Sequence, residues 1–308
     1  MWFSRDWMAG RTEALAFPKA LVIALAKKPK LVRDLNGLPA MPGRSGTLEV
    51  RLATTRKEIK TAQRLRYKVF FEEGGATPDA AAALTRRDIC PFDHLCDHLL
   101  VFDHAARTPR LGRLKPKVVG TYRLLRQDVA ARNGGFYSAR AFDIAPLLAR
   151  HPGLRFLELG RSCVLASHRS RKTLELLWRG LWAYVQHHRI DVMMGCASFP
   201  GANPLAHALP LRFLAGEAAA PPQWNARAHP RRRVAMSGPA EAKTDARKAL
   251  AALPPLIKGY LRVGARFGDG AVVDRQFGTT DVFVVMPVAG IAARYAAHFG
   301  EGGVREAA

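Results

Sequence analysis

The chain of 308 residues contains few cysteines, few acidic side chains and no long apolar run. Its four cysteines form no Cys-x-x-Cys pair, which in a chain of this size argues against a disulfide framework and for reduced thiols in the cytoplasm. The longest apolar stretch near the start, residues 20–26, is far shorter than the ~20 residues that span a bilayer. No small-residue cleavage site follows it, so we predict neither a membrane-spanning helix nor a signal peptide.

Acidic residues are outnumbered, since 25 Asp and Glu stand against 48 Lys and Arg and the formal net charge is +23. Such a surface favours polyanionic partners, namely an anionic membrane face, an acidic protein or nucleic acid. Nucleic acid is the least favoured, because the sequence has no recognised nucleic-acid-binding motif and no basic strand interleaved with aromatic residues. The apolar content of 48% is that of an ordinary globular protein.

Alternating and helical patterns of apolar residues predict a mixed α/β (α+β) chain with one main domain. Strands are predicted at residues 47–54, 99–102, 118–125, 154–166, 191–198 and 282–286. Helices are predicted at residues 56–71, 141–150 and 172–188, and over residues 246–267, where two prolines divide the helix. Residues 218–239 are predicted to be irregular.

The same patterns divide the chain into four parts. Residues 1–46 are an N-terminal extension, which either lies on a membrane as an amphipathic segment or is a disordered or packed extension. Residues 47–215 form the core, and residues 216–300 form a C-terminal extension packed on that core. Residues 301–308 are predicted to be a disordered tail.

Glu158 is a single carboxylate in an otherwise apolar strand, between Leu157 and Leu159. On a regular strand Glu158 and Arg161 point to opposite faces, because their separation is odd. A β-bulge at Gly160 would bring both side chains to one side. Two interpretations stay open: an ordinary buried salt bridge, or a general base beside an amine nucleophile.

A basic turn precedes the helix predicted at residues 172–188. It contains Arg169, Arg171 and Lys172, with Ser170 or Thr173 as the capping residue. Cations at a helix N-terminus oppose the helix dipole, and a bound anion would relieve this conflict. The turn is therefore either a phosphate site or a solvated basic turn.

Four potential metal ligands lie close together in the sequence, at Cys90, His94, Cys96 and His98. Zinc needs ligands that converge tetrahedrally, and four ligands along one extended strand do not converge. We therefore predict a loop entering a strand here and no metal site. Asp93 and Asp97 are left free to face a pocket.

Several separated blocks carry a resemblance to known proteins. They are Cys96-Asp97-His98-Leu99-Leu100-Val101, Val119-Gly120-Thr121-Tyr122-Arg123-Leu124-Leu125, Glu158-Leu159-Gly160-Arg161-Ser162, Leu177-Trp178-Arg179-Gly180, Gly195-Cys196-Ala197-Ser198-Phe199-Pro200-Gly201 and the stretch from Leu253 to Arg262. With these blocks the chain resembles the Gcn5-related N-acyltransferase (GNAT) superfamily, and within it the bacterial ornithine acyltransferases. The resemblance implies a GNAT-like acyl-CoA N-acyltransferase fold, with a central, mostly antiparallel mixed sheet flanked by helices.

The resemblance also implies a reaction and roles for residues. A (3-hydroxy)fatty acyl group would move from acyl carrier protein to the α-amine of L-ornithine, giving lyso-ornithine lipid, with Glu158 as general base and Arg161 beside it. The residues implied to bind the acceptor or order its pocket are Arg66, Phe70, Asp93, Asp97 and Arg123, with Asp93 or Asp97 on the ornithine side chain. Those implied to bind the phosphopantetheine arm are Arg169, Arg171, Lys172 and Thr173, with the N–H groups of Val164, Leu165 and Ala166 as oxyanion donors.

One loop departs from the superfamily pattern and bears on the donor. Lys172 and Leu174 stand where the coenzyme A loop of the superfamily has glycines, which favours a single phosphopantetheine phosphate held by side-chain cations. The implied partners are thus acyl carrier protein, ornithine and an anionic membrane surface, with no bound cofactor and no nucleic acid. We expect a cytoplasmic enzyme that visits the inner membrane face. The alternative is an acyl-homoserine lactone synthase, which takes S-adenosylmethionine as its amine donor.

Overall fold

The computed structural model describes residues 43–110, 113–236 and 245–291. Within these ranges eleven strands join into one sheet. The strands are β1 (Gly43–Ser45), β2 (Leu48–Leu52), β3 (Asp97–Arg110), β4 (Arg113–Arg126), β5 (Phe142–Asp143), β6 (Phe156–Val164), β7 (Val192–Pro200), β8 (Arg227–Ala228), β9 (Arg233–Val234), β10 (Arg266–Asp274) and β11 (Thr279–Pro287).

The order of strands across the sheet is β1-β2-β3-β4-β6-β7-β11-β10-β8-β5, and β9 pairs with β10. Most neighbours are antiparallel, but β6 and β7 are parallel and so are β8 and β10. The antiparallel pairs β1–β2, β3–β4 and β10–β11 join strands that follow each other closely in the chain, whereas the parallel pair β6–β7 needs a crossover helix. The mixed, mostly antiparallel sheet that we predicted is confirmed.

Eight α-helices of the described residues flank the sheet. They are α1 (Arg56–Tyr67), α2 (Ala80–Thr85), α3 (Gln127–Ala131), α4 (Ala145–Arg150), α5 (Arg171–His187), α6 (Ala208–Gly216), α7 (Ala246–Ala252) and α8 (Pro255–Arg262). A π-helix, Lys68–Glu73, continues α1. Short 3₁₀ helices include Pro91–His94, Tyr137–Arg140 and Ala166–His168.

Helix α5 is the crossover between β6 and β7, and it begins and ends within one residue of its predicted bounds. Ser170 is its N-cap, because its hydroxyl accepts from the Thr173 N–H at 3.3 Å. Leu177, Leu181 and Val185 are buried against the sheet, where each contributes roughly 1.5–3 kcal/mol. Gly180 permits the close approach, since a Cβ there would lie 2.8 Å from Val50 Cγ2.

Strand β10 was missed and its first residues were predicted to be helical. Helix α8 ends at Arg262, and Gly264, at φ +93°, turns the chain into the strand. Gly268 and Gly270 hide the alternating pattern, but both are required by packing. A Cβ at Gly268 would lie 2.3 Å from Ala226 O, and Gly270 has φ +86° at a register shift in the pairing of β10 with β11.

Two of the predicted domain boundaries, at residues 46 and 215, lie near strands of the sheet. The extension at residues 1–46 and the tail at 301–308 lie outside the described residues, except for residues 43–46, where β1 and its turn pair with β2. Strand β11 pairs with β7 from Thr279↔Pro200 to Pro287↔Val192. Residues after 216 therefore add strands to the same sheet as the residues before it.

Candidate active site

The sheet splits between β6 and β7. These strands pair in parallel only from Phe156↔Val192 to Leu159↔Gly195, although both continue to Val164 and Pro200. Beyond this point β6 pairs with β4, and β7 pairs with β11. At the split a Cβ on Gly195 would lie only 2.3 Å from Leu159 O, so glycine permits the two backbones to approach closely there.

A cavity of about 350 Å³ lies at this split. Tyr122 and Arg123 both line it, and consecutive residues of β4 point to opposite faces of the sheet. The cavity is therefore lined from both faces. Its further lining includes Val69, Phe70, Tyr137, Ser138, Glu158, Leu159, Gly160, Arg161, Ser162, Cys196, Ser198, Leu256, Tyr260, Asp274, Phe277, Thr279 and Asp281.

Glu158 faces this cavity and is 5% exposed. Its Oε2 accepts from the Tyr137 N–H at 2.8 Å, and its Oε1 accepts from the Ser138 N–H at 2.6 Å and from the Ser138 hydroxyl. A carboxylate has about four acceptor positions, so one position on Oε2 remains for a water or an amine. Within the described residues no arginine or lysine pairs with Glu158, which is the arrangement opposite to a buried salt bridge.

The 3₁₀ helix Tyr137–Arg140 supplies these donors, and sequence analysis missed it. It follows Gly134 and Gly135, at φ +84° and +95°, which turn the chain back across the end of β6. The glycine pair is a signal for a turn. However, the sequence does not show that the N–H groups after this turn point at a strand some twenty residues later.

Strand β6 contains a β-bulge next to Gly160, which is the condition under which Glu158 and Arg161 come to one side. The register runs from Arg123↔Gly160 to Thr121↔Cys163, which leaves one extra residue on β6. Arg161 has φ +53°, a left-handed conformation that is uncommon outside glycine. Its guanidinium carbon lies 5.0 Å from the Tyr137 ring centroid and 4.4 Å from that of Phe277.

Behind the wall of the cavity that β4 and β6 form lies a buried cluster of three arginines and two aspartates. Arg66 is fully buried, and its Nε and Nη2 donate to Asp88 Oδ2 at 2.8 Å and Asp93 Oδ2 at 2.7 Å. Arg123 Nη1 lies 3.3 Å from Asp93 Oδ1, and Arg161 Nε lies 3.1 Å from Asp88 Oδ2. Burial disfavours the charge on Asp93, but Arg66 and Arg123 outweigh it and hold its pKa far below the usual range.

With three arginines and two aspartates the cluster has one positive charge in excess, and the guanidinium of Arg161 lines the cavity. Burial lowers the pKa of Arg161, but Asp88 beside it more than compensates, so the pKa is raised and the charge is kept. A guanidinium of this kind is suited to hold a carboxylate. Asp88 was not among the predicted residues, because its role depends on the fold around Arg66 and Arg161.

The opposite wall of the cavity, on β7 and β11, contains Asp281. Its carboxylate accepts from the Thr279 hydroxyl at 2.8 Å, and Ser198 is its partner in register on β7. Burial raises the pKa of Asp281, and the neighbouring hydroxyl groups of Ser198 and Thr279 offset only part of the rise. Sequence analysis missed Asp281, although a lone acid beside the apolar run that follows it is the same signal that identified Glu158.

Comparison with known proteins decides the family. Residues 65–179 match the acetyltransferase (GNAT) domain model. The chain is 52% identical over 279 residues to the L-ornithine N(alpha)-acyltransferase of Agrobacterium fabrum, covering 90% of this chain and 92% of that protein. It is 43% identical over 238 residues to the protein of that name from Rhodobacter capsulatus, covering 77% and 89%. The chain belongs to the L-ornithine N(alpha)-acyltransferase family.

The enzyme class predicted from the sequence, an acyltransferase of the GNAT fold, is thereby confirmed. Among solved structures the chain is similar to an N-acyl amino acid synthase from uncultured soil microbes. That likeness has 12% identity and a TM-score of 0.43, and covers 79% of this chain and 91% of that one. A second likeness, to the acyl-homoserine lactone synthase LasI, has 12% identity and a TM-score of 0.41, and covers 80% and 95%.

Four predicted residues of this family member line the cavity together: Glu158, Arg161, Arg123 and Phe70. Phe70 lies on the π-helix, with its ring edge-to-face on Phe277 at 5.8 Å between centroids. A π-helical turn is rare and is frequently found at functional sites.

Three other predicted residues do not line the cavity. Arg66 and Asp93 belong to the buried cluster behind it, and Gln63 also donates to Asp93 at 2.8 Å. Asp97 accepts from the hydroxyl of Tyr184 at 2.7 Å. The structure thus differs from the prediction that Asp93 or Asp97 faces the pocket, because both carboxylates are engaged inside the protein.

The predicted donor-binding residues lie at the end of β6 and the start of α5. Arg169 pairs with Glu73 at 2.8 Å and Arg171 with Glu175 at 2.6 Å, while Lys172 is exposed and Thr173 is buried. Among the predicted oxyanion donors, the Leu165 N–H donates to Val119 O at 2.9 Å. Val164 and Ala166 flank it, and the roles of this whole set stay predictions.

The described residues contain no group of three or more His, Cys, Asp or Glu side chains arranged to hold a metal ion. Cys90, Cys96 and His98 are buried, and His98 Nε2 is hydrogen-bonded to Asp93 O at 2.8 Å. Among the helices of the described residues, none has the length and apolar character required to cross a membrane.

Proposed function

We propose that this protein transfers a (3-hydroxy)fatty acyl group from an acyl carrier protein thioester to the α-amine of L-ornithine, the first step towards an ornithine lipid. The observation that carries the proposal is the position of Glu158, a buried carboxylate with one acceptor site left, at the split between two parallel strands. The names of the relatives support ornithine as the acceptor rather than S-adenosylmethionine.

Glu158 is the general base of the proposed reaction. The α-ammonium of ornithine gives a proton to the carboxylate, directly or through a water, and its nitrogen then attacks the thioester carbonyl carbon. The new C–N bond forms as the carbonyl electrons move to oxygen. When they return, the C–S bond breaks, the nitrogen gives up its second proton, directly or through water, to the departing thiolate, and phosphopantetheine leaves as the thiol. A positioned general base of this kind contributes about 10²–10⁴-fold to the rate.

Arg161, with Arg123 beside it, binds the acceptor carboxylate in this proposal. The surplus positive charge of the buried cluster supports this role, because the guanidinium of Arg161 lines the cavity with its charge maintained by Asp88. The rings of Tyr137 and Phe277 hold the guanidinium plane in place. Binding the carboxylate here would set the α-amine towards Glu158.

The donor lies in the gap between β6 and β7, with its phosphate at the N-terminus of α5. The first N–H groups of a helix have no partner within the helix and attract anions. Arg169, Arg171, Lys172 and Thr173 surround this terminus and supply the cations and a hydroxyl. Backbone N–H groups near Val164 and Ala166 hold the oxyanion of the tetrahedral intermediate.

The charge of +23 suits two polyanionic partners in the proposal. Acyl carrier proteins are acidic, and a basic surface attracts them before the pantetheine arm enters the gap. The acylated product belongs in a membrane, where anionic lipids attract each nearby Lys or Arg by about 1 kcal/mol. We propose that the enzyme binds the membrane surface peripherally. It should sediment with phosphatidylglycerol vesicles at low salt and not with phosphatidylcholine vesicles, and equal behaviour with both would contradict this part.

The acyl transfer is tested with purified protein, 3-hydroxyacyl carrier protein and single amino acids, with mass spectrometry as the readout. We expect N-acyl-ornithine from L-ornithine, and less product when the same acyl group is supplied on coenzyme A. A parallel reaction with S-adenosylmethionine examines the lactone alternative. A lactone product, or no acylated amine from any acceptor, would reject the proposed function.

A further inference from the structure

Asp281 lies on the same face of the sheet as Glu158. Met194 is the register partner of Glu158 on β7, and Ser198 is the register partner of Asp281. Partners in register point to one face, as do residues two and four apart on a strand. Both carboxylates therefore enter the same cavity, one from each side of the split.

A line of polar groups runs between them. Ser138, which donates to Glu158, lies with its hydroxyl 3.6 Å from the Cys196 thiol. Cys196 is two residues before Ser198 on β7, and Ser198 is the register partner of Asp281. From Met194 to Ser198 the strand rises about 13 Å, at ~3.3 Å per residue. One ornithine molecule, hydrogen-bonded to the Glu158 side chain at one end and to the Asp281 side chain at the other, bridges such a distance.

Asp281 differs from Asp88 and Asp93, the two aspartates of the buried cluster, in its partners. Asp93 has two arginines, and Asp88 pairs with Arg66 and Arg161. Within the described residues Asp281 forms no ion pair with lysine or arginine, and its carboxylate accepts from the Thr279 hydroxyl and lies opposite Ser198 on β7. A carboxylate that lines the cavity without a cationic partner in the protein is available to a cationic group of a ligand.

Asp274, which also lines the cavity, is used differently. Its Oδ1 accepts from the N–H groups of Gln276 and Phe277, both at 3.0 Å, and so holds the turn between β10 and β11. It therefore has a structural role that Asp281 does not share. Arg161 acts on the charge of Asp281 but does not pair with it, which leaves Arg161 for the acceptor carboxylate.

We propose that Asp281 binds the side-chain ammonium of the acceptor and so selects a diamino acid over amino acids with neutral side chains. This inference rests on the proposed function. The acceptor would then be held at three points: its α-amine at Glu158, its carboxylate at Arg161 and its side-chain ammonium at Asp281. Asp281 is a specificity residue in this arrangement and takes no part in the proton transfer.

The test compares L-ornithine with L-norvaline, which has the same carbon chain and no side-chain amine. Kinetics are measured for the full chain, for Asp281→Asn and for Asp269→Asn. The amide in Asp281→Asn keeps an oxygen that accepts from Thr279, so the fold should be preserved. Asp269 lies on the neighbouring strand and pairs with Arg233 at 2.8 Å, outside the cavity, so its variant is a matched control for the loss of one charge.

We expect the KM for ornithine to rise about ten- to a hundredfold in Asp281→Asn, the range of one hydrogen bond to a charged group. The KM for norvaline should stay constant or fall, so that the preference for ornithine disappears. Asp269→Asn should retain the wild-type preference. Norvaline turnover by Asp281→Asn also reports that the variant is folded, and Asp281→Ser serves as a second variant with the same expectation.

Failure of the inference and failure of the proposed function give different results. If the wild-type protein acylates no amino acid, the proposed function fails, and this inference fails with it. If the wild-type protein acylates ornithine and both Asp281 variants retain its preference over norvaline, the inference alone is overturned.

Discussion

The two walls of the cavity hold their charges in different ways. On the wall formed by β4 and β6, Arg123 and Arg161 are paired with aspartates that Arg66 also contacts. On the wall formed by β7 and β11, Asp281 has only hydroxyl partners within the described residues. The arginines of the first wall have carboxylate partners inside the protein, whereas Asp281 on the second wall forms no ion pair with lysine or arginine among the described residues.

We expect the charges of the two walls to differ in how much they contribute to the stability of the fold. A charge whose partners are built into the protein keeps its position before any substrate binds. A charge without a cation partner gains its stabilisation only on binding, so the interaction discriminates among substrates. Four variants test this division, beginning with Glu158.

The largest effect is expected for Glu158→Gln. The amide is a poor base, so kcat should fall by about 10²–10⁴-fold with saturating ornithine and acyl carrier protein thioester. Its NH₂ group would face either the Tyr137 N–H or the two Ser138 donors, and a loss of about 1–3 kcal/mol in the free energy of unfolding is expected as well. Turnover and urea unfolding are measured on the same preparation, and near-normal turnover would remove Glu158 from the role of base.

Asp93→Asn should cause the largest loss of stability, since it removes the carboxylate charge that Arg66 and Arg123 share and leaves Asp88 as the one remaining carboxylate of the cluster. Breaking a buried ion pair in this way costs about 3–5 kcal/mol in the free energy of unfolding. The pKa of Asp93 is depressed in the folded state, so its stabilisation is present above its unfolded pKa of about 3.9 and is lost as the pH falls below that value.

Urea unfolding of both proteins between neutral and acidic pH measures this effect. The wild-type protein should lose more of its unfolding free energy on acidification than Asp93→Asn does. A variant as stable as the wild type at neutral pH would show that the first wall does not stabilise the fold.

Gly195→Ala should widen the split between the two walls. The added Cβ would lie 2.3 Å from Leu159 O, which is backbone, so the strands must separate. Overpacking of this kind costs about 1–3 kcal/mol, and kcat/KM should fall because the base and the donor move apart. Gly216→Ala, where no atom lies within 4 Å of the added Cβ, is the matched control and should neither destabilise the fold nor lower kcat/KM.

Asp281→Asn should have the smallest effect on stability. The pKa of Asp281 is raised in the folded state, so the stability linked to its protonated form is present below its unfolded pKa and is lost as the pH rises through the folded pKa. At pH 7 the variant should therefore be at least as stable as the wild type, in contrast to Asp93→Asn. Thermal unfolding at several pH values measures it, and a clear destabilisation at pH 7 would show that both walls are built alike.

The parts of the fold that the sequence predicted depend on local signals. Helix α5 was predicted because its apolar spacing and its Ser170 cap are contained in one short stretch. The same holds for the bulge beside Glu158, since Gly160 stands within the motif. The mixed sheet followed from the alternation of strands and helices.

The parts that were missed depend on distant pairing. The N–H groups that bind Glu158 come after a glycine turn, Asp88 gains its meaning only through Arg66 and Arg161, and Asp281 reaches the cavity because β11 inserts beside β7. Asp93 and Asp97 were expected in the pocket because the sequence does not show which face is occupied by arginine or tyrosine. Strand β10 was missed because glycines required by close packing interrupt its pattern.

The guanidinium of Arg161 also acts as a spacer across the gap. It lies within cation–π distance of two rings, Tyr137, which follows β4, and Phe277, in the turn before β11, so it contacts both halves of the divided sheet. Any movement that spreads the halves apart must draw at least one ring away from it. The separation of β6 and β7, which a substrate must enter, and the orientation of the Arg161 guanidinium are therefore coupled. A ligand that binds Arg161 also restricts the width of the gap.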